Sequence, residues 1–269
     1  MKRFLATSAI ACLGVFIQSS AGAAPTAVAT WSFDNTLAAD ESGVPALTAI
    51  DPLGASSFIS DTVFGTVRQV YRFDGNLTPS QQAGLYVSSL GLLDSDDAYS
   101  VDMVFMFESN QSSWENIFGV SNRQSDNAFY VDPSNRLQVW PVASGPNLFS
   151  FGEYHRVTLT NRGDGTVTAY LDGALQFDLT TASMDFSSYA LANPSRLIHF
   201  FADNVVGPGQ NEFADGRVAL IRLFDLELTG DEVEDIGNGN GDAGNNVPEP
   251  GVLALLAIGL AGFSLARRG

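Results

Sequence analysis

Cysteine and lysine are almost absent from this sequence of 269 residues. Cys12 and Lys2 are the only examples, and both lie within the first 23 residues. The rest of the chain therefore forms no disulfide and must be stable without one. Histidine is nearly as scarce, because only His155 and His199 occur. Without an H-x-x-H pair or a pair of cysteines, the sequence gives no support to a transition-metal site.

Basic residues are few throughout the chain, with 13 Lys and Arg against 30 Asp and Glu. Between residues 25 and 247 the imbalance is nine Arg against 29 acidic residues, which gives a formal net charge of −20. A surface with this charge repels nucleic acid and anionic lipid, so neither is expected as a partner. An anionic polysaccharide is an unfavourable ligand for the same reason, unless divalent cations bridge it to the protein.

The N-terminus has the pattern of a secretory signal peptide. Lys2 and Arg3 form a charged start, residues 4–17 are hydrophobic, and residues 21–23 are the small residues Ala-Gly-Ala. We therefore predict that residues 1–23 are removed during export.

The C-terminus carries a second apolar segment, residues 251–266, of which only Ser264 is polar. As a helix it would span roughly 24 Å, which is a little short of a typical hydrocarbon core of about 30 Å. Arg267 and Arg268 follow it and would hold that end in the cytoplasm. Residues 237–246 precede this region and are rich in Gly and Asn, which predicts a flexible linker.

The tail also resembles a known sorting signal. A short motif, Val247-Pro248-Glu249-Pro250, stands before the apolar segment, and the Arg pair ends it. Motif, apolar segment, basic pair and position together resemble the PEP-CTERM signal of Gram-negative bacteria, here residues 247–269. The resemblance implies processing by an exosortase, which recognises the Pro-Glu-Pro region and removes the helix. It also implies a destination at the cell surface or in the extracellular matrix.

The body of the chain alternates between apolar and polar residues. A repeat of two residues is typical of half-buried β-strands. Residues 99–107 form one such run, and residues 154–161, 166–172 and 174–179 form three more, separated by Gly-rich turns. Asp172-Gly173 predicts a tight type I′ hairpin, so these three strands should form a meander. One short helix is predicted after Thr229, where a T-x-x-E capping box occurs. These features predict a single all-β domain over residues 25–236.

Several segments of this domain resemble laminin G-like, concanavalin A-like jelly rolls. The pattern H-x-V-x-L-T begins at His155, and Y-x-D-G begins at Tyr170. Residues 31–34, 71–75 and 218–224 match the first strand, the F-D-G turn and the closing strand of that family. The resemblance implies a two-sheet antiparallel jelly-roll sandwich with one concave face.

The resemblance also suggests what to look for as a site. Jelly-roll glycosidases often carry E-x-D-x-x-E on one strand, and alginate lyases of this fold carry their own strand motifs; neither pattern occurs here. Calcium is a possible cofactor of such domains, held by carboxylate, amide and carbonyl oxygens. The candidate ligands, which could equally be ordinary turn residues, are Asp34, Asp74, Asp203, Asn204 and Asp215. Aromatic rings that could stack on sugars, or simply pack in the core, are Trp114, Tyr130, Trp140 and Tyr170.

The sequence thus predicts an exported, exosortase-sorted protein of the cell surface or matrix. Its jelly roll is expected to bind an exopolysaccharide or a surface protein without catalysis. One alternative is a polysaccharide hydrolase or lyase that uses the concave face. Another is a structural matrix protein without a specific ligand.

Overall fold

The computed structural model describes residues 24–94, 97–112, 114–142, 144–207 and 209–237. The described residues form fourteen β-strands, two 3₁₀ turns and one α-helix. The strands are β1 (Ala29–Trp31), β2 (Thr48–Ile50), β3 (Ser57–Val63), β4 (Thr66–Phe73), β5 (Gly84–Ser88), β6 (Ala98–Phe107), β7 (Glu115–Gly119), β8 (Phe129–Val131), β9 (Leu137–Val139), β10 (His155–Arg162), β11 (Thr166–Leu171), β12 (Ala174–Thr180), β13 (Leu197–Phe200) and β14 (Gly216–Phe224). The 3₁₀ turns are Pro79–Gln81 and Phe186–Tyr189, and the helix α1 is Gly230–Gly237.

The strands pair into two antiparallel sheets. An eight-stranded sheet has the order β12-β11-β10-β6-β14-β4-β3, and β1 also pairs with β14. A six-stranded sheet has the order β2-β5-β13-β7-β8-β9. The predicted all-β jelly-roll sandwich is confirmed.

The predicted alternation is clearest in β6. Its residues Tyr99, Val101 and Met103 are almost fully buried in the main core, together with Phe105 and Phe107. The predicted meander is confirmed as well, because β10 pairs with β11 and β11 with β12. At the second turn Asp172 has φ 51° and Gly173 has φ 78°, as a type I′ turn requires.

Aromatic side chains dominate the core between the sheets. Phe73 from β4 stacks on Phe201 at a centroid distance of 4.0 Å. Phe105 and Phe107 approach Phe201 at 5.4 Å and 6.0 Å, and all four rings are fully buried. Burying each such side chain contributes about 1.5–3 kcal/mol. This core replaces the disulfides that the composition rules out.

Helix α1 covers one end of the outer face of the eight-stranded sheet. The predicted capping box is present, because Thr229 N donates to Glu232 Oε2 (2.8 Å) and Glu232 N donates to Thr229 Oγ1 (3.3 Å). Val233 and Ile236 pack against Tyr170 and other buried residues of the sheet. The helix runs through Gly237, the residue at which the linker was predicted to begin.

A buried ionic cluster lies near the end of this helix. The carboxylate of Asp102 is fully buried and receives hydrogen bonds from Arg156 (2.9 Å and 3.0 Å), Arg222 (3.1 Å and 3.0 Å) and Thr158 (2.8 Å). Burial alone would raise the pKa of Asp102, but the two guanidinium groups outweigh it and leave the pKa below the usual value. Asp102 therefore stays ionised and links β6 to the arginines of β10 and β14.

The signal peptide (residues 1–23) and the sorting region from residue 247 onwards lie outside the described residues. Among the helices within the described ranges, none is long and apolar enough to cross a membrane.

Candidate functional site

A cleft of about 450 Å³ opens on the outer face of the eight-stranded sheet, beside the β3–β4 hairpin. We call it the Arg217 cleft; its main lining residues are Asp61, Met106, Glu108, Glu153, Tyr154 and Arg217. Neighbouring strands bring these side chains together. Arg217 on β14 pairs with Met106 on β6 and with Arg72 on β4. Because side chains alternate along a strand, these three face outward while Phe73, Phe105 and Val218 fill the core.

Charged hydrogen bonds fix the geometry of this cleft. Arg217 Nη1 donates to Asp61 Oδ2 (2.6 Å), and Arg217 Nη2 donates to Glu108 Oε1 (3.2 Å). Arg72 Nε also donates to Glu108 Oε1 (3.2 Å) and Arg72 Nη1 to Asp74 Oδ2 (2.8 Å). One guanidinium thus joins two carboxylates from different elements, which orients both before any ligand arrives.

Tyr154 completes the network. Its hydroxyl donates to Asp61 Oδ2 at 2.9 Å. Burial and the nearby Asp61 carboxylate raise the pKa of Tyr154, so the hydroxyl stays protonated and remains a donor. Partial burial alone would raise the pKa of Asp61, but the hydrogen bonds from Arg217 and Tyr154 outweigh it and lower the pKa. Asp61 therefore stays ionised at neutral pH.

The floor of the outer face near the cleft is apolar. Val70, Val104, Ala219 and Leu220 pack together there, and Tyr154 packs against them. The ring of Phe64 lies at the other side of the cleft, and the residue is 63% exposed. Fixed donors, fixed acceptors and aromatic faces form a surface that suits a ligand with many hydroxyl groups and an apolar ring face.

The predicted aromatic residues lie elsewhere, and three of the four lie together. Trp114 makes edge-to-face contacts with Tyr130 (5.7 Å between centroids) and with Trp140 (5.1 Å). Trp140 is 36% exposed, whereas Tyr130 is only 1% exposed. Tyr170 is 9% exposed because helix α1 covers it. Of the two fates that the sequence left open, Tyr130 and Tyr170 therefore follow core packing, whereas the rings of Trp114 and Trp140 stay partly accessible.

Three acidic residues lie beside Tyr130. The Tyr130 hydroxyl donates to the Asp126 carbonyl (2.9 Å) and to Asp203 Oδ1 (3.3 Å), and Glu212 N donates to Asp203 Oδ2 (3.1 Å). Burial, with the charge of Asp126, raises the pKa of Asp203 to about 7. Burial, with the charges of Asp203 and Asp126, raises the pKa of Glu212 to about 8. We call Asp126, Asp203 and Glu212 the acidic cluster; burial also raises the pKa of Asp126, and Glu212 is mostly protonated at neutral pH.

The five predicted calcium ligands do not meet in one place. Asp203 belongs to the acidic cluster, and Asn204 lies beside it and donates from Nδ2 to Asp126 Oδ1 (3.2 Å). Asp74 and Asp215 lie near each other, but Asp74 already pairs with Arg72, and Asp215 accepts from Gly75 N (2.8 Å). Asp34 is exposed in the loop after β1. Among the described residues no group of three or more His, Cys, Asp or Glu is arranged to hold a metal. The five candidates therefore do not form one shared set of ligands for a calcium ion.

Both histidines are buried in the sheets. His155 Nδ1 lies 2.7 Å from Asp172 Oδ2, and its Nε2 accepts from the backbone N of Ser150 (3.1 Å). His199 stacks on Tyr86, and burial lowers its pKa to about 4, so the ring is neutral. These contacts give both residues a packing role.

The sequence offered little to indicate the Arg217 cleft. Asp61 and Arg217 are 156 residues apart, and Asp61 and Tyr154 are 93 residues apart. The one available signal was the presence of Arg72 between Tyr71 and Phe73, and of Arg217 just before an apolar run, in a chain that has few basic residues.

Comparison with known families agrees with this fold. Residues 78–234 match the family model described as the concanavalin A-like lectin/glucanases superfamily. The chain therefore belongs to this family. Residues 246–268 match the PEP-CTERM protein-sorting motif, which includes Val247, Pro248, Glu249, Pro250, Arg267 and Arg268. The motif implies export and a surface or extracellular location. A search of curated proteins gives no match.

Solved structures show the same architecture at low identity. Domain 4 of AbnA, an extracellular arabinanase from Geobacillus stearothermophilus solved with arabinotriose, is 16% identical with a TM-score of 0.55, covering 79% of this chain and 98% of that one. The binding domain of botulinum neurotoxin serotype D/C is 13% identical with a TM-score of 0.54, covering 80% of this chain and 52% of that one. Trypanosoma rangeli sialidase is 11% identical with a TM-score of 0.52, covering 83% and 35%. The chain thus spans about half of the neurotoxin domain and a third of the sialidase, and these likenesses show the fold alone.

Proposed function

We propose that this protein is an exported surface or matrix protein whose jelly roll binds an uncharged glycan, without cleaving it, in the Arg217 cleft. The observation that carries the proposal is the network of Asp61, Tyr154, Glu108 and Arg217 on the outer face of the sheet. Sorting by exosortase, with removal of residues 251–266, would deliver the domain to a place where exopolysaccharide is available.

The charge of the cleft selects among ligands. Three of its carboxylates, from Asp61, Glu108 and Glu153, face a single lining guanidinium, that of Arg217. A carboxylated or sulfated polysaccharide would meet net repulsion there, as it would over the strongly acidic remainder of the surface. An uncharged sugar can donate hydroxyl hydrogens to the carboxylates and accept hydrogen bonds from Arg217.

The same network argues against catalysis in this cleft. A glycoside hydrolase needs a carboxyl group that is protonated at working pH to act as general acid. Asp61 has a lowered pKa because Arg217 and Tyr154 stabilise its charged form, after the opposing effect of burial. It is therefore suited to accept hydrogen bonds and unsuited to donate a proton.

One observation favours the rival function, a hydrolase or lyase. Glu212 has a pKa raised to about 8 and lies within the acidic cluster, close to the aromatic group of Trp114, Tyr130 and Trp140. Perturbed carboxyl groups are common at active sites. In this rival account, Glu212 would be the general acid, and sugar would stack on Trp140.

A panel of oligosaccharides can separate the proposals. The chain, purified from a host that exports it and kept in a detergent that contains no sugar, is tested on uncharged, anionic and cationic glycans. We expect binding to uncharged glycans, a loss of at least tenfold in affinity for Tyr154→Ala, and no change for Arg162→Gln. Arg162 is a matched control because its exposed pair with Glu227 lies at the far end of β10.

Two outcomes would contradict the proposal. Binding to no glycan, with specific capture of a surface protein or of nothing at all, would favour a protein-binding or purely structural role. Release of reducing sugar that stops in Glu212→Gln, with Tyr154→Ala still active, would favour the hydrolase at the acidic cluster.

A further inference from the structure

A second cleft, of about 560 Å³, lies on the other side of the β3–β4 hairpin. We call it the Gln69 cleft; its main lining residues are Ser32, Asp34, Ser60, Val67, Arg68 and Gln69. Ser60 pairs with Gln69 across the hairpin and is followed on β3 by Asp61 of the first cleft, whose side chain points to the opposite face. The hairpin therefore stands between the Gln69 cleft and the Arg217 cleft.

Strand pairing explains why this second cleft exists. The C-terminal half of β4 pairs with β14, with Tyr71 opposite Val218. Further along, β14 pairs instead with β1, with Ile221 opposite Trp31. The first half of β4 is thus displaced from the sheet, and the tip of the hairpin projects beyond it. Arg68 Nη2 spans the resulting gap and donates to the Ser32 carbonyl at 3.1 Å.

The two clefts meet at the tip of the hairpin. Thr62 lines the first cleft, Val67 lines the second, and the two residues are paired across the hairpin. Val67 is 72% exposed and Phe64 is 63% exposed. Phe64 has φ 48°, in a turn where Asn or Asp is the usual residue. The exposed side chains of Phe64 and Val67 at this end of the hairpin contribute nothing to the core. They offer apolar contact to a ligand that crosses the tip.

The chemistry of the second cleft matches that of an uncharged sugar chain. Gln69 Nε2 donates to Ser60 Oγ (2.8 Å), so an amide and a hydroxyl are held in fixed positions. One positive group, Arg68, and one negative group, Asp34, balance each other. Each cleft has a volume in the range of sites for small ligands, so each can take only a short part of a polymer.

We infer that one linear, uncharged polysaccharide chain occupies both clefts and crosses the hairpin between them. This inference rests on the proposed function of the Arg217 cleft. The second contact becomes intramolecular once the first has formed, which raises the affinity of a long ligand well above that of a short one. The protein would thus distinguish polymer from free small sugars.

A length series tests the inference. The exported chain is titrated with arabino-oligosaccharides and gluco-oligosaccharides of two to eight residues by isothermal titration calorimetry. We expect affinity to rise at least tenfold between the trimer and the octamer of the series that binds. The double variant Val67→Ser with Gln69→Ala should lower octamer affinity to the trimer level and leave the trimer unaffected. Tyr154→Ala should weaken both ligands, and Arg162→Gln neither.

The outcomes distinguish the inference from the proposed function. Affinity that does not rise with length, or an octamer affinity that survives the double variant, overturns the inference and leaves binding in the Arg217 cleft intact. Failure of every oligosaccharide to bind the unmodified chain overturns both. Because Val67 and Gln69 lie on an exposed hairpin, unchanged Tm of the double variant shows that lost affinity is not lost folding.

Discussion

Raising the pH from 7 to 9 should destabilise this protein through the acidic cluster. The folded-state pKa is about 7 for Asp203 and about 8 for Glu212, against ordinary values of 3.8 and 4.5. At any pH between the unfolded-state and the folded-state pKa of a group, the folded state therefore binds more protons than the unfolded state. Stability from these groups is fully present below the unfolded pKa and is lost as the pH rises through the folded pKa.

The size of the effect follows from the two shifts. Between pH 7 and pH 9 a group of pKa 8 loses about 1 kcal/mol of stabilisation, and a group of pKa 7 loses less than about half of that. Glu212 is only partly buried, and solvent screening reduces its share. We therefore expect the free energy of unfolding to fall by about 1 kcal/mol. His199, whose pKa is lowered to about 4, gives the opposite slope only below about pH 6.5.

Urea unfolding followed by tryptophan fluorescence, at pH 7 and pH 9 in the presence of a chelator, measures this difference. Glu212→Gln keeps the shape of the side chain without its charge and should remove most of the slope. Glu227→Gln, at an exposed ion pair, should leave the slope unchanged. A free energy that is constant or rises from pH 7 to pH 9, or a slope that survives in Glu212→Gln, would refute the reasoning.

Three further predictions concern stability. Asp102→Asn should lower the free energy of unfolding by about 3–5 kcal/mol, because Arg156 and Arg222 lose a buried counter-charge; a loss below 1 kcal/mol in urea unfolding would contradict this. Gly173→Ala should lower it by roughly 1 kcal/mol, from backbone strain alone, because φ is 78° and a Cβ meets no atom within 4 Å; no loss would contradict the turn geometry. Calcium should leave Tm unchanged, because the oxygens of Asp74 and Asp215 are already engaged; an increase that saturates would instead establish a calcium site.

The parts of the fold that depend on neighbouring residues were predictable from the sequence. Alternation identified β6, and Asp172-Gly173 identified the turn between β11 and β12, because side-chain direction and turn conformation are local properties. The capping box at Thr229 and Glu232 identified the start of α1 for the same reason.

Exposure was harder to predict than strand position. Tyr130 and Tyr170 both lie on the outer face of a sheet. The alternation of side chains along a strand places them on that face correctly. A loop residue, Asp126, contacts the Tyr130 hydroxyl, and helix α1 covers Tyr170. An alternating pattern shows which residues share a face, but it does not show whether another segment covers that face.

The candidate site could not be predicted because it is assembled from distant segments. Asp61, Glu108, Tyr154 and Arg217 come from four different parts of the chain and meet only when β3, β4, β14 and β6 lie side by side. The acidic cluster was missed in the same way, since Asp126 and Glu212 stand in unrelated loops. Their raised pKa values depend on burial, which no local pattern reports.

The most direct test of the account is a crystal structure of the exported chain soaked with an uncharged oligosaccharide that it binds. The account predicts intact sugar in the Arg217 cleft, with hydroxyl groups within hydrogen-bond distance of Asp61 and Arg217 and one ring against Tyr154. Sugar bound instead at Trp140 beside the acidic cluster, or present there as cleaved product, would contradict it.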